Sequence, residues 1–269
     1  MIRAAVLGSP INHSLSPLLH TSAYAELGIE NDYSAIEVGS GELQEFIKGK
    51  ENGWTGFSLT MPLKEEVLKL ADVVDPIAAR ITSANTLFRK DGQWIASSTD
   101  LTGVISALNS RGFESGSKAI ILGAGATARA VAGALDSRVD HIHVISRNPE
   151  REDAMRACVL TSTIEFSPWE YTAGISKADL LVNTTPLYGA DLFVDYLPSK
   201  IDSLFFEVLY KPWPTLLLAG WKERGGESLD GIDLLVHQGL DQIELFSGRT
   251  FDRAAMAQFL RRKALATLE

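Results

Sequence analysis

Apolar and polar positions along the first hundred residues change period several times. Residues 4–7 form a continuous apolar run of strand length, and Ser16-Pro17 then opens a helix-like stretch to about residue 27. Residues 33–38 alternate as a strand does, and residues 41–48 are amphipathic. Residues 54–59 read as another strand, and a helix is expected from near Pro62. Strands separated by helices predict parallel βαβ units, so the expected fold class is α/β. Residues 85–88 and 94–96, joined by Lys90-Asp91-Gly92, predict a hairpin instead, because Asp-Gly accepts the left-handed backbone of a tight turn.

A second pattern follows a helix expected over residues 101–109. Ser115-Gly116-Ser117 reads as a loop and residues 119–122 as a buried strand, followed by a glycine turn, an alanine-rich helix over 129–135 and a strand over 141–145. Further strands are expected at 180–183 and 204–208, with a helix at 215–224. Residues 240–246 and 252–268 are strongly helical in pattern, and no internal repeat stands out. The pattern therefore predicts two α/β domains.

Composition narrows the partners. The 269 residues are enough for two modest cores, and 45% hydrophobic against 22% charged residues excludes a disordered chain. The net charge of −9 lacks the electrostatic footprint of a nucleic-acid or membrane-surface binder, so any anionic ligand must be held by local charge. The single cysteine, Cys158, permits no internal disulfide and is expected to be an inert thiol. With no three-part signal peptide and no apolar run of spanning length, the expected location is the cytoplasm. The five histidines show no metal-ligand spacing, so no metal is expected, and no G-x-S-x-G elbow supports hydrolase chemistry.

The glycine turn Gly123-Ala124-Gly125-Ala126-Thr127-Ala128 follows an apolar strand and opens a helix, the context in which G-x-G-x-x-A binds a dinucleotide. Gly123 permits the tight turn, Gly125 lets backbone N–H groups approach a pyrophosphate, and Ala128 keeps the helix close to the sheet. About 20 residues on, an NAD site places a carboxylate for the ribose hydroxyls. This chain has Ser146-Arg147-Asn148-Pro149-Glu150-Arg151 there. A planar guanidinium suits a 2′-phosphate, which a carboxylate would repel, so the reading is NADP, with Arg147 first and Arg151 second.

Two segments near the amino terminus carry candidate chemistry. His13-Ser14-Leu15-Ser16-Pro17 presents two hydroxyls near a helix start, where they can donate to a carboxylate; the simpler reading is that Ser16 caps the helix. In Thr60-Met61-Pro62-Leu63-Lys64-Glu65 a lysine falls at the start of an expected helix, where the helix field opposes a cation. Such a lysine can exchange a proton with a substrate oxygen when a carboxylate partner lies nearby; the simpler reading is a surface lysine.

Taken together, these segments resemble the shikimate dehydrogenase family. The resemblance runs from Gly8-Ser9-Pro10-Ile11-Asn12-His13-Ser14-Leu15-Ser16-Pro17 through Thr60–Glu65, Ala84-Asn85-Thr86-Leu87 and Thr99-Asp100. It continues through the glycine turn, Asn183-Thr184-Thr185-Pro186-Leu187, Tyr210-Lys211-Pro212 and Leu235-Val236-His237-Gln238, covering nearly the whole chain in the family's order. It implies reversible NADPH-dependent reduction of 3-dehydroshikimate to shikimate, a step of aromatic amino-acid biosynthesis, by a monomer or homodimer. It implies Lys64 and Asp100 as the catalytic pair and Ser14 and Ser16 on the substrate carboxylate. Thr60, Asn85, Asp100 and Gln238 would hold the ring hydroxyls, Tyr210 would lie near carboxylate and nicotinamide, and Asn183, Thr184, Thr185 and Pro186 would form part of the nicotinamide-side loop. It also implies a discontinuous substrate domain, residues 1–101 and 235–269, around a Rossmann-like NADP domain, residues 102–234. Two departures stand out: Ser98 and Ser58 occupy positions where the family commonly has Asn. Each replaces an amide with a shorter hydroxyl, which keeps a quinate or amino-substituted substrate as an alternative. A ligand-binding regulator without turnover is the other alternative, and retention of both Lys64 and Asp100 favours the enzyme.

Overall fold

The computed structural model describes residues 1–50, 53–171, 175, 178–211 and 213–268; Pro212 of the Tyr210-Lys211-Pro212 motif lies outside them. The chain divides into two compact units, Met1–Gly103 with Leu235–Glu269, and Val104–Leu234. The first unit contains β1 (Ile2–Gly8), α1 (Ser16–Glu26), β2 (Asn31–Glu37), α2 (Leu43–Ile47) and β3 (Gly56–Leu59). A 3-10 helix (Glu66–Lys69), β4 (Val73–Val74), α3 (Pro76–Ile81), β5 (Thr86–Lys90) and β6 (Gln93–Ser97) follow, and α4 (Thr99–Ser110) leads out.

The first sheet has the order β2-β1-β3-β5-β6-β4. β1 runs parallel to β2 and β3, but β5 is antiparallel to both β3 and β6, so the expected parallel pairing holds in only part of the sheet. The hairpin between β5 and β6 turns at Asp91 and Gly92, with φ of 51° and 83°, the backbone that an Asp-Gly turn accepts. The core of this unit gathers Leu7, Phe57, Leu63, Val67 and Leu87, all fully buried.

The second unit is built as β7 (Gly116–Leu122), α5 (Ala126–Leu135), β8 (Val139–Ser146), α6 (Glu152–Arg156), β9 (Thr163–Pro168), β10 (Leu180–Asn183), β11 (Leu204–Glu207), α7 (Leu216–Glu223) and β12 (Glu227–Leu229). Its six strands are all parallel in the order β12-β11-β10-β7-β8-β9. That is the doubly wound dinucleotide-binding topology, with the switch point between β7 and β10. The chain then returns through α8 (Gly231–Ser247) and ends on α9 (Arg253–Leu265), whose cap Asp252 accepts from Ala255 N at 3.0 Å. No described helix is long and apolar enough to cross a membrane.

Several expected elements differ. No α-helix starts at Pro62: residues 61–65 form turns, and only the 3-10 helix follows, because Leu63 turns inward to full burial and Ala84 N takes the Lys64 carbonyl at 2.8 Å. Ser16 does not cap α1; it is the first helical residue, the position before it is Leu15, and no side chain caps that end. The expected loop at 115–117 becomes strand from Gly116, since Asp179 Oδ2 accepts from Ser117 N and Lys118 N at 2.7 and 2.9 Å. Residues 240–246 are the second half of the longer α8. β9 and β12 were not apparent in the pattern, being short and partly exposed edge strands.

Candidate functional site

In the first unit the register brings the candidate segments to one end of the sheet. The carboxyl ends of β1 and β3 lie side by side, Leu7 opposite Leu59. β5 runs the other way and begins there, with Leu59 N donating to Asn85 O at 2.7 Å; β6 ends there, with Ser97 opposite Thr86. The loops leaving β1 and β3 are pressed together, Ser9 N donating to Met61 O at 3.0 Å. A Cβ on Gly8 would stand 2.3 Å from Thr60 Cγ2, so only glycine permits this approach.

At that end Lys64 Nζ donates to Asp100 Oδ2 at 2.6 Å, with side-chain exposures of 16% and 8%. The partner of Lys64 is thus a carboxylate in the first turn of α4, where a negative charge is favoured by the helix field. The expected helix field at Lys64 itself is absent, because no α-helix begins there. The lysine is thus partly buried and paired, not the surface lysine of the simpler reading. Two of its three N–H groups make no hydrogen bond among the described residues, leaving donors for an incoming oxygen.

Asn85 organises the rest of this group. Its Oδ1 accepts from Thr99 N at 2.8 Å, which fixes the amide's direction because a backbone N–H only donates. Nδ2 then donates towards Asp100 Oδ1 at 2.9 Å, Thr99 Oγ1 at 2.9 Å and Gln238 Oε1 at 3.0 Å, its two hydrogens being shared among them. Gln238 Nε2 is held by Leu235 O at 2.8 Å. Gly103 lies against Gln238 so closely that a Cβ would meet its backbone N at 2.8 Å, which seats the glutamine over α4.

Ser14 and Ser16 lie in the same unit, at the entry to α1. Ser14 Oγ accepts from Ser16 N at 3.3 Å, and the Ser16 hydroxyl makes no hydrogen bond among the described residues. Neither they nor Thr60 is bonded to the Lys64–Asp100 group among the described residues, so they are brought to the same sheet end without being joined to it. Ser58, one of the two positions where the family commonly has Asn, lies in the interior. It accepts from Tyr33 Oη at 2.7 Å and donates to Gln242 Oε1 at 2.8 Å. Ser98 is also buried, and its Oγ has no hydrogen-bond partner among the described residues.

In the second unit Gly123 has φ +104°, and a Cβ there would stand 2.7 Å from Thr184 Oγ1, so the turn needs glycine on two counts. Gly125 precedes α5 in extended conformation with no side chain capping the helix, which leaves the first N–H groups of Ala126, Thr127 and Ala128 facing outward from the helix end. A Cβ on Gly125 would meet only Arg151 Nη1, at 3.5 Å, which places that guanidinium beside the glycine turn. Ser146 ends β8, and the exposed Arg147 lies with its guanidinium carbon 5.3 Å from the Trp169 ring centroid. An open helix end with the Arg151 guanidinium beside it fits the phosphates of a dinucleotide.

Across the switch point the Asn183–Pro186 loop is tied down. Thr184 Oγ1 donates to Leu122 O at 2.7 Å, and Thr185 N and Oγ1 donate to Asn183 Oδ1 at 3.1 and 2.7 Å. Pro186 is exposed beyond it. Asn183 Nδ2 donates to Glu207, a fully buried carboxylate that also accepts from Leu209 N at 3.1 Å and Thr215 Oγ1 at 2.7 Å. Burial pushes the Glu207 carboxyl above its ordinary value, against the opposing pull of these donors. Tyr210 follows β11 in the same unit and is half-buried. The sequence reading missed Glu207, Gln242 and Trp169. A carboxylate ending the apolar run Leu204-Phe205-Phe206 and a second glutamine four residues after Gln238 were the available signals.

A glycine turn at the switch point of a parallel sheet, with cations at the end of its second strand, defines the class of nicotinamide-dinucleotide oxidoreductases. Residues 6–87 match the family described as "Shikimate dehydrogenase substrate binding domain". The shikimate dehydrogenase (NADP(+)) of Moorella thermoacetica is 35% identical over 96% of this chain and 92% of its own length. The crystal structure of Mycobacterium tuberculosis shikimate dehydrogenase superposes with a TM-score of 0.87 at 36% identity, covering 97% of this chain and all of that one. That of Thermus thermophilus shikimate 5-dehydrogenase, in complex with NADP(H) and shikimate, gives 0.84 at 31% identity, over 98% and 100%. The chain belongs to the shikimate dehydrogenase family.

Proposed function

We propose that this chain is an NADP-dependent dehydrogenase that interconverts 3-dehydroshikimate and shikimate, with Lys64 and Asp100 as its acid–base pair. The observation that carries the residue assignment is the 2.6 Å Lys64–Asp100 contact, whose ammonium keeps two donors uncommitted among the described residues. Bound NADPH supplies the hydride to the ketone carbon. Lys64 donates to the carbonyl oxygen as charge gathers there, and gives it a proton; in the reverse direction it takes the proton back from the alcohol. Asp100 holds Lys64 in place and balances its charge, while Asn85 holds the other carboxylate oxygen. Ser14 and Ser16 donate to the substrate carboxylate, a role supported by hydroxyls that leave α1 uncapped. Thr60, Asn85 and Gln238 orient the ring hydroxyls, and Tyr210 adds a contact near carboxylate and nicotinamide.

On the cofactor side, the N–H groups of Gly125 to Ala128 take the pyrophosphate, Arg147 and Arg151 with Ser146 take the 2′-phosphate, and Asn183 to Pro186 shape the nicotinamide side. The expected location is the cytoplasm. The test is one steady-state assay crossing shikimate and quinate with NADP and NAD. Highest kcat/KM for shikimate with NADP is the expected result; preference for quinate, or no turnover of either alcohol, overturns the reading.

A further inference from the structure

Behind the Lys64–Asp100 group lies a second buried polar set that the reaction as derived above does not use. It consists of His20 and Tyr24 on α1, Tyr33 on β2, Ser58 on β3, Thr86 on β5 and Gln242 on α8, all in the first unit and all buried. Gln242 is its hub. Nε2 donates to Asn85 O at 3.0 Å and Thr86 Oγ1 at 2.9 Å, and Oε1 accepts from Ser58 Oγ at 2.8 Å and faces His20 Nε2 at 3.3 Å.

We propose that Gln242 is a positioning residue for the dehydrogenase reaction, holding Asn85 from behind and, through it, the Asp100 carboxylate that Lys64 faces. The inference rests on the catalytic reading above and extends it to a residue that touches neither Lys64 nor Asp100 among the described residues.

Hydrogen-bond direction carries the argument. The Asn85 carbonyl can only accept, so the Gln242 amide must turn Nε2 towards it and Oε1 towards Ser58 and His20. Ser58 Oγ therefore gives its proton to Gln242 and accepts from Tyr33, and His20 Nε2 carries the ring proton while Nδ1 accepts from Tyr24 Oη at 3.1 Å. Thr86 Oγ1, accepting from Gln242, turns its own proton to Asn85 Oδ1 at 3.0 Å. Asn85 is thereby gripped at its carbonyl by Leu59 N and Gln242 and at its amide oxygen by Thr86 and Thr99 N. The only direction left for Nδ2 is towards Asp100, Thr99 and Gln238. Asp100 Oδ1 is occupied by that amide, and Oδ2 is the oxygen that meets Lys64.

Gln242 satisfies four buried partners, Asn85 O, Thr86 Oγ1, Ser58 Oγ and His20 Nε2, and an apolar replacement would leave them unpaired at a cost in stability. What an apolar side chain lacks is direction: it cannot tell Asn85 which way to face. His20, stacked on Tyr33 at a centroid distance of 4.1 Å, closes the far side and keeps water from competing for Gln242 Oε1.

Two variants test the proposal. Gln242→Met keeps side-chain length and removes every bond of the hub; Thr86→Val removes only the branch through Thr86, its bond from Gln242 Nε2 and its bond to Asn85 Oδ1. Each is assayed with shikimate and NADP beside the wild type, well below its own Tm, with kcat expressed per folded protein. Gln242→Met is expected to lower kcat about tenfold to a hundredfold, the cost of a misplaced group remote from the chemistry. Thr86→Val is expected to lower it about fivefold, a smaller loss because Gln242 still holds the Asn85 carbonyl. In both, kcat is expected to fall by a larger factor than KM for shikimate rises, because the Lys64–Asp100 pair is displaced as well as the ring-hydroxyl contact of Asn85. Variants with wild-type kcat and only a lowered Tm would overturn the inference and leave Gln242 as a core group. A wild-type protein that turns over neither shikimate nor quinate overturns the function itself, and the inference with it.

Discussion

Lys64 and Arg147 are both cations in an acidic protein, yet their surroundings give them different work. Lys64 has a carboxylate at 2.6 Å and little exposure, so its charge is held at one point. In the proposed mechanism, replacing it with Ala removes both the proton and the charge that would meet the developing oxyanion. Lys64→Ala is expected to lower kcat by about 10²–10⁴-fold while changing the KM for shikimate far less, measured by steady-state kinetics in both directions. Near-normal turnover would remove Lys64 from the mechanism. Arg147 is exposed, lies against Trp169 and meets no carboxylate among the described residues. Arg147→Ala is expected to raise the KM for NADP by about tenfold, as one charge-assisted bond is lost, with NAD use little changed. Equal losses with both cofactors would sink the 2′-phosphate role. Arg147 and Lys64 stood out in the sequence because each broke a local rule, a cation where a carboxylate or a helix start was expected. Gln242 broke no rule visible in sequence, since its partners come from three other elements far away along the chain.

Among the elements, α1 shows how a helix serves the site through its buried side. Leu19, Ala23 and Tyr24 pack inward with His20, whose ring is held at a pKa of about 3 by burial, against the opposing effect of its bond to Gln242. The unfolded chain binds a proton at His20 below about pH 6.5 and the folded chain does not until about pH 3. The stability that His20 contributes is therefore complete above pH 6.5 and is lost as pH falls through that window. His20→Gln removes this dependence. From pH 7 to pH 5 the wild type is expected to lose about 2 kcal/mol more than the variant, measured by urea unfolding at both values. Equal losses would show that His20 takes up its proton in the folded state. Most elements were legible: the periods at 4–7, 119–122 and 180–183 and the Asp91-Gly92 turn correspond to strands and a hairpin in the structure. The helix expected at Pro62 was not formed, because Pro in a first turn is equally compatible with a simple turn and the choice was made by Leu63 entering the core.

For the whole molecule, the return of the chain matters most. Unit one takes Leu235–Glu269 as part of its body, and α8 contributes both Gln238 and Gln242 to its polar interior. Gly56 packs so tightly beneath Phe246 that a Cβ would meet its ring at 2.5 Å. A chain ending at Leu234 retains all six parallel strands of the second unit. It is expected to keep NADP binding, read by fluorescence titration, while losing shikimate binding and turnover. Retained turnover would show that α8 and α9 are dispensable. The acidic net charge is likewise a property of the whole, and the proposed anion sites answer it locally with Arg147, Arg151 and an uncapped helix end. The α/β class was legible in the alternation of strand and helix periods, and the dinucleotide turn and the segments carrying Lys64 and Asp100 in short runs of consecutive residues. The 2.6 Å contact of Asp100 with Lys64, which the family resemblance implied and no local pattern showed, the inward turn of Ser58 to Gln242 and the anchoring of the Asn183 loop by Glu207 come from the tertiary structure. Those are pairings between residues 24 to 184 positions apart, set by sheet order and burial, which no local pattern encodes.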